Sequence, residues 1–96
     1  MKTKFDGRIK YKHAEHVAWR KVEKDAVLLD LNTSVYYSLN GVGAIIWERL
    51  GAGASPDEVK DEVCSEFDVQ PKDAQKHLET FVRELCAKKL LCPASK

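Results

Sequence analysis

The chain has 96 residues, of which 44% are hydrophobic and 32% are charged, and its net charge at pH 7 is +1. These values are ordinary for one globular domain with a single core. No run approaches the roughly 18 consecutive apolar residues of a membrane span, and the N-terminus lacks the apolar core of a signal peptide. We therefore expect a cytoplasmic protein with no membrane contact. The cysteines, Cys64, Cys86 and Cys92, are odd in number and lack CxxC spacing, which favours reduced thiols.

Charge is distributed unevenly along the chain. Residues 1–24 contain eight lysines or arginines against three acidic residues, a net charge of +5, whereas residues 25–96 have a net charge of −4. The basic positions are scattered rather than clustered, which favours a solvated arm over a nucleic-acid contact. The pattern leaves open whether Phe5, Ile9 and Tyr11 dock loosely or are disordered.

Three short segments in the first half have the pattern of strands. Residues 17–22 alternate imperfectly between apolar and polar, residues 26–31 form an apolar run, and residues 35–39 alternate again. Polar turns at residues 23–25 and 32–34 separate them. Two tight turns in succession predict a three-stranded antiparallel meander with free outer edges.

The second half has the periodicity of three helices. Residues that start or stop helices divide it: Asn40, Gly51, Gly53, Ser55, Pro56, Glu58 and Pro71. Apolar residues recur at helical spacing in each part: Val42, Ile45, Ile46 and Leu50, then Val59, Val63 and Phe67, then Ala74, Leu78, Phe81, Val82 and Leu85. Leu90 and Leu91 are expected to pack against the core, and Pro93 to end the ordered chain.

This order of elements predicts an α+β domain. A three-stranded sheet cannot bury both of its faces, so the three helices must pack on one of them. The arrangement resembles a winged helix whose wing comes first. The expected organisation is a basic N-terminal arm over residues 1–15 and a domain over residues 16–92.

The sequence offers little for catalysis. Residues 41–43 match neither a phosphate-binding loop nor a dinucleotide fingerprint. His13 and His16 lie on the basic arm and are interpreted as solvated, and nothing supplies His77 with a catalytic partner. We expect a protein that is not an enzyme and that uses no cofactor and no metal.

Six segments follow one another along the chain: Val27–Asp30, Tyr36–Asn40, Gly43–Trp47, Ser55–Val59, Phe81–Leu85 and Leu90–Leu91. In succession they resemble the PqqD-like family, named for a coenzyme PQQ synthesis protein. Their order and spacing, over about residues 16–91, carry the resemblance, and no single segment is specific. This chain has Lys89 where many members have glycine.

The resemblance implies the fold called the RiPP recognition element and a role as a peptide chaperone. Such proteins bind the leader segment of a ribosomally synthesised precursor peptide and present it to a modifying enzyme, often a radical SAM enzyme, as in PQQ biosynthesis. The leader lies as a strand against the third β-strand, beside the third helix. The peptide-binding residues implied here are Ser34, Val35, Tyr36, Tyr37, Ser38, Gln75, Leu78, Glu79, Phe81, Val82, Arg83 and Leu85.

The third predicted strand is suited to this role. Edge strands are usually blunted by charge or proline, and residues 34–39 have neither, so their backbone could pair with a guest strand. Internal pairing, or pairing with a second copy, is the alternative, and we expect a monomer or a weak homodimer. Gln75, Lys76, Glu79 and Arg83 are expected to form a polar rim along the groove.

A winged-helix DNA-binding protein is the alternative function. Phosphate contacts dominate affinity for DNA, and a reading helix needs clustered lysine or arginine. The second predicted helix has Lys60 against five acidic residues, and the third is only weakly basic. Nucleic acid is therefore the less favoured partner.

Overall fold

The computed structural model describes residues 7–94, so Phe5 lies outside the described residues. Its elements in chain order are β1 (Tyr11–His13), β2 (Val17–Val22), β3 (Asp25–Asp30), β4 (Val35–Leu39), α1 (Gly41–Gly51), α2 (Pro56–Phe67), α3 (Pro71–Ala87) and β5 (Leu91–Pro93). Strands β2, β3 and β4 form an antiparallel sheet in that order, and β1 pairs with β5 in a separate sheet. The three-stranded sheet followed by three helices confirms the predicted α+β architecture.

One face of the three-stranded sheet carries the core. Ala26 and Leu28 on β3 are completely buried, whereas Tyr36, which points to the opposite face, is 69% exposed. All three helices contribute buried residues to the same core, among them Trp47, Val59 and Val82. Among residues 7–94, no helix is long and apolar enough to cross a membrane.

The second predicted strand, residues 26–31, corresponds to β3 and ends one residue earlier than the sequence predicts. Leu31, expected in the strand, follows β3 and is 57% exposed. The reason is the Asp30 carboxylate, which accepts hydrogen bonds from the backbone N–H groups of Asn32 and Thr33 at 2.8 and 3.2 Å. An aspartate that binds the following backbone in this way closes a turn. Leu31 is therefore placed in the turn rather than in the sheet.

The predicted helix starts are present. Asn40 accepts a bond from the N–H of Gly43 at 3.4 Å, and Ser55 and Glu58 cap each other reciprocally at 3.3 and 2.8 Å. The backbone hydrogen bond from Ser55, with a smaller contribution from the charge of Lys10, lowers the pKa of Glu58. The cap is therefore expected to lose its ionic part only in acid, as Glu58 protonates.

The predicted apolar stripe of α2 is wrong at its last position. Val59 and Val63 are buried, but Phe67 is 39% exposed. Phe67 is the final residue of α2, and Asp68 after it adopts a left-handed conformation with φ of 53°. The side chain therefore lies at the margin of the core, beyond the turns that pack on α3.

The N-terminal segment is docked over residues 11–13, one of the two alternatives that the sequence left open. Tyr11 is 8% exposed and belongs to the core. Beyond the pairing of β1 with β5, the N–H of Ala14 donates to Leu90 at 3.0 Å and that of Ala94 to Lys10 at 2.8 Å. Strands of three residues carry too little pattern to be predicted. A domain boundary after residue 15 stays a prediction.

His13 is not the solvated side chain that the sequence indicated. Its ring stacks on Trp47 with centroids 3.6 Å apart, and Trp19 contacts both rings edge-on. The Nε2–H group donates to the backbone carbonyl of Trp47 at 2.8 Å. Gly51 leaves room for this ring, because a Cβ there would overlap it. His16 also has a partner, the Asp30 carboxylate at 3.8 Å.

We expect the packing of His13 to make the fold sensitive to acid. Burial lowers the pKa of His13 below its ordinary value of 6.5, and the hydrogen bond to Trp47 offsets this only in part. Below pH 6.5 the unfolded chain therefore takes up a proton before the folded one does, and stability falls until the folded pKa is passed. His13→Phe keeps a ring on Trp47, so urea unfolding at pH 8 and pH 5.5 should show a smaller pH difference than in the wild type. His77→Gln is the control for removing an exposed histidine, and an unchanged pH difference in His13→Phe would contradict the assignment.

Lys89 adopts a conformation that favours glycine, with φ of 63° after the end of α3. We expect Lys89→Gly to relieve this strain and to raise stability by about 0.5–1 kcal/mol, or roughly 4 °C in melting temperature. Lys88 has φ of −84°, so Lys88→Gly should instead lower the melting temperature. Thermal unfolding of both variants tests this, and destabilisation by Lys89→Gly would show that its side chain contributes more than the strain costs.

Candidate functional site

The direction of the backbone groups in β3 fixes which groups of β4 are free. The N–H of Leu31 donates to the carbonyl of His16 at 2.8 Å, on the β2 side of the sheet. Backbone groups of successive strand residues point to opposite sides, so those of Asp30 point toward β4. Asp30 is paired there with Val35. Val35 therefore directs its backbone groups at β3.

The outer edge of β4 consists of the backbone groups of Tyr36 and Ser38. Because the direction alternates, Val35, Tyr37 and Leu39 face β3, while Tyr36 and Ser38 face away from the sheet. β4 pairs with no strand other than β3 in residues 7–94. Two N–H and two C=O groups are thus available along this edge. The free row is shorter than predicted from residue 34, since the N–H of Ser34 donates to Asp30 at 2.7 Å.

Two cavities open beside this edge. The large cavity, of about 1070 Å³, lies between the end of β4 and the three helices. It is lined by Ser38, Leu39, Asn40, Val42, Gly43, Ile46, Lys60, Val63, Val69, Asp73, Ala74, Lys76, His77, Leu78, Thr80, Phe81 and Glu84. The small cavity, of about 200 Å³, is lined by Tyr37, Ser38, Leu39, Phe81, Glu84, Leu85, Lys88 and Leu90. They share four residues and together form the β4–α3 groove.

Five of the predicted site residues line this groove. Tyr37 and Ser38 contribute from β4, and Leu78, Phe81 and Leu85 contribute from α3. Leu78 and Leu85 are buried and form its floor, whereas Phe81 is half-buried and lines both cavities. The absence of a side chain at Gly43 lets the Phe81 ring approach α1, because a Cβ there would lie 3.4 Å from the ring.

The other predicted site residues lie elsewhere. Ser34, Val35 and the Tyr36 side chain line neither cavity, although the backbone of Tyr36 faces the open edge. Val82 is 2% exposed and packs in the core. The remaining three, Gln75, Glu79 and Arg83, are on a different face of α3 from the groove.

The polar side chains of α3 that border the groove are therefore mostly different from those that the sequence predicts. Successive helical residues are about 100° apart, so a shift by one position moves a side chain to another face. Arg83 forms an ion pair with Glu79 at 3.0 Å, away from both cavities. The polar residues of α3 that line the groove are Asp73, Lys76, His77, Thr80 and Glu84, of which the sequence analysis assigned only Lys76 to the rim. Peptide binding by Gln75, Glu79 and Arg83 stays a prediction.

The sequence analysis also missed the wall formed by α1 and α2. Asn40, Val42, Gly43 and Ile46 line the large cavity from the start of α1. The apolar spacing in this segment predicts a helix with one buried face. It does not predict which other element that face contacts, because long-range contacts decide this. The available signal in the sequence was Gly43, whose missing side chain permits close packing at the start of α1.

Residues 7–94 contain no group of three or more histidine, cysteine, aspartate or glutamate side chains placed to hold a metal ion. The three cysteines are free thiols, and burial, with the neighbouring Cys92, raises the pKa of Cys86 and keeps it protonated. The site combines unpaired backbone groups on one side with apolar side chains on the other.

Comparisons with known proteins found a family model and two solved structures that match the chain. The model of the coenzyme PQQ synthesis protein D (PqqD) family matches residues 25–91. The structure titled "TbiB1 in Complex with the TbiA(beta) Leader Peptide" is 33% identical, with a TM-score of 0.81, over 88% of this chain and 99% of that one. "Lasso peptide synthetase B1 complexed with the leader peptide" is 27% identical, with the same TM-score and coverage. No curated protein matches the chain. Since the family model spans more than half of the sequence, the chain belongs to the PqqD family.

Proposed function

We propose that this protein binds the leader segment of a ribosomally synthesised precursor peptide as an added strand on β4 and presents it to a modifying enzyme. One observation carries the proposal: the free backbone groups of Tyr36 and Ser38 lie beside an apolar groove. Strand addition uses this combination, with main-chain bonds for affinity and side-chain pockets for selectivity. Both solved relatives carry a leader peptide, which supports the same ligand here.

The available groups are sufficient for recruitment without permanent capture. Four main-chain hydrogen bonds contribute about 4 kcal/mol, and three apolar guest side chains contribute roughly 2 kcal/mol each. Association and ordering of a flexible peptide cost about 4 kcal/mol or more. The balance of about 6 kcal/mol corresponds to a dissociation constant on the order of tens of micromolar. A peptide held this weakly can be passed to an enzyme.

The partners and the location follow from the role. The protein acts as an adaptor without catalysis of its own, in the cytoplasm, where precursor peptides are synthesised. The receiving enzyme is a peptide-modifying enzyme, with a radical SAM enzyme as the family's usual partner. Short reading frames encoded beside the gene are the source of candidate leaders, and synthetic peptides tiling them are the probes for binding by fluorescence anisotropy.

Tyr36 separates the backbone contribution from that of the side chain. Tyr36→Pro removes an outward N–H, and an edge strand tolerates proline where that group faces away from the sheet. We expect Tyr36→Pro to remain folded. Its affinity for the tiling peptide that the wild type binds should fall by about tenfold or more, because one hydrogen bond is lost and the proline ring obstructs the guest strand. Tyr36→Ala, which keeps the N–H, should bind within about threefold of the wild type. Equal losses in the two variants would exclude strand addition at β4.

Substitutions at Phe81 and Val82 distinguish the contribution of the groove to binding from the contribution of the core to stability. Phe81→Ala removes a half-buried ring shared by both cavities, so we expect binding of the same peptide to fall by about tenfold or more. Val82→Ala creates a cavity in the core and should cost about 1–3 kcal/mol of stability while the folded protein keeps its affinity. Urea unfolding and anisotropy on both variants test the pair. Full binding by Phe81→Ala would place the guest outside the groove.

A further inference from the structure

The charged side chains that line the large cavity form no ion pairs within the described part of the chain. Lys60, Asp73, Lys76, His77 and Glu84 line the cavity, and none of their side chains forms an ion pair or hydrogen bond within the described part of the chain. Away from the cavity, ion pairs join Arg49 to Glu62 at 2.8 Å, Lys21 to Glu48 at 3.4 Å and Arg83 to Glu79 at 3.0 Å. The cavity thus holds two lysines and two acidic side chains that are not engaged in ion pairs.

The cationic part of this set comes from two helices. Lys60 is half-buried and is the one basic residue of α2, and Lys76 and His77 enter the same cavity from α3. The acidic residues of α2 do not line the cavity, and two of them are already engaged, Glu62 by Arg49 and Glu58 in the helix cap. No acidic side chain of α2 is therefore placed in the cavity to neutralise Lys60.

The two acidic residues of the cavity lie toward its ends. Asp73 is one turn before Lys76 on α3, a rise of about 4.5 Å, and Glu84 is about 12 Å beyond it. An extended guest advances about 3.3 Å per residue, so these side chains span roughly five guest residues. Lys76 lies between them along α3, so a guest carboxylate is favoured near Lys76 and is repelled at either end.

We propose that the large cavity selects peptides with one aspartate or glutamate side chain set among apolar residues, and that Lys60 and Lys76 together bind its carboxylate. This inference rests on the proposed function, because the carboxylate reaches the cavity as part of a strand added to β4. Lys60 and Lys76 are then specificity-determining residues, while the β4 edge supplies binding that does not depend on sequence.

The test is selection from a displayed library of random 12-residue peptides on immobilised protein. Peptides retained by the wild type and lost on Tyr36→Pro are the edge-bound class, and we expect them to share one acidic position. The double variant Lys60→Glu with Lys76→Glu should enrich lysine or arginine at that position instead. Lys72→Glu is the matched control, since Lys72 is an exposed lysine on α3 that does not line the cavity, and it should enrich the same acidic peptides as the wild type.

Two synthetic peptides measure how much the acidic side chain contributes to affinity. The most enriched wild-type peptide and its amide counterpart, with Asp→Asn or Glu→Gln at the shared position, should differ by about tenfold in affinity for the wild type at low salt. The difference should shrink in the double variant and at high salt. Edge-bound peptides without an acidic preference, or a preference that survives the charge reversal, would overturn the inference and leave the proposed function intact. If no retained peptide depends on the β4 edge, both fail.

Discussion

The alternation of backbone direction along an antiparallel strand is the constraint on which the site depends. Once Asp30 pairs with Val35, every second residue of β4 is committed to the sheet and the others are left outside. The exposed row is therefore short, two residues in a five-residue strand, and it lies between sheet residues that cannot move without breaking the ladder. A short edge is a tolerable aggregation risk, and it is also a rigid template for an added strand.

The N-terminal segment shows how the edge stays open. A strand from the same chain could have covered β4, but β1 pairs with β5 instead and is fixed there by Tyr11 in the core and by His13 on Trp47. The same docking closes the core where both ends of the described chain meet. The stacking of His13 on Trp47 and the burial of Tyr11 thus place β1 beside β5, away from β4.

The groove beside the edge is assembled from parts with different tasks. Leu78 and Leu85 are buried and belong to the core, whereas Phe81 stays half-exposed and is available to a guest. The side chains of Lys60 and Lys76 line the large cavity and form no ion pair within the described part of the chain. In a binding surface of this kind, the backbone supplies affinity, and side chains on α2 and α3 supply selectivity. One fold can therefore serve different peptides by changing a few groove residues.

The sequence by itself determined the order of elements, the helix caps and the uncharged third strand, because each depends on interactions between residues close in the chain. The capping box of Ser55 and Glu58 and the period of α3 are examples. Only the tertiary structure decided which face of α3 lines the groove, that α1 forms one of its walls, and that His13 is packed rather than solvated. These outcomes depend on contacts between residues far apart in sequence, such as His13 with Trp47 or Phe81 with Gly43, and local periodicity carries no information on which distant surface a stripe will meet.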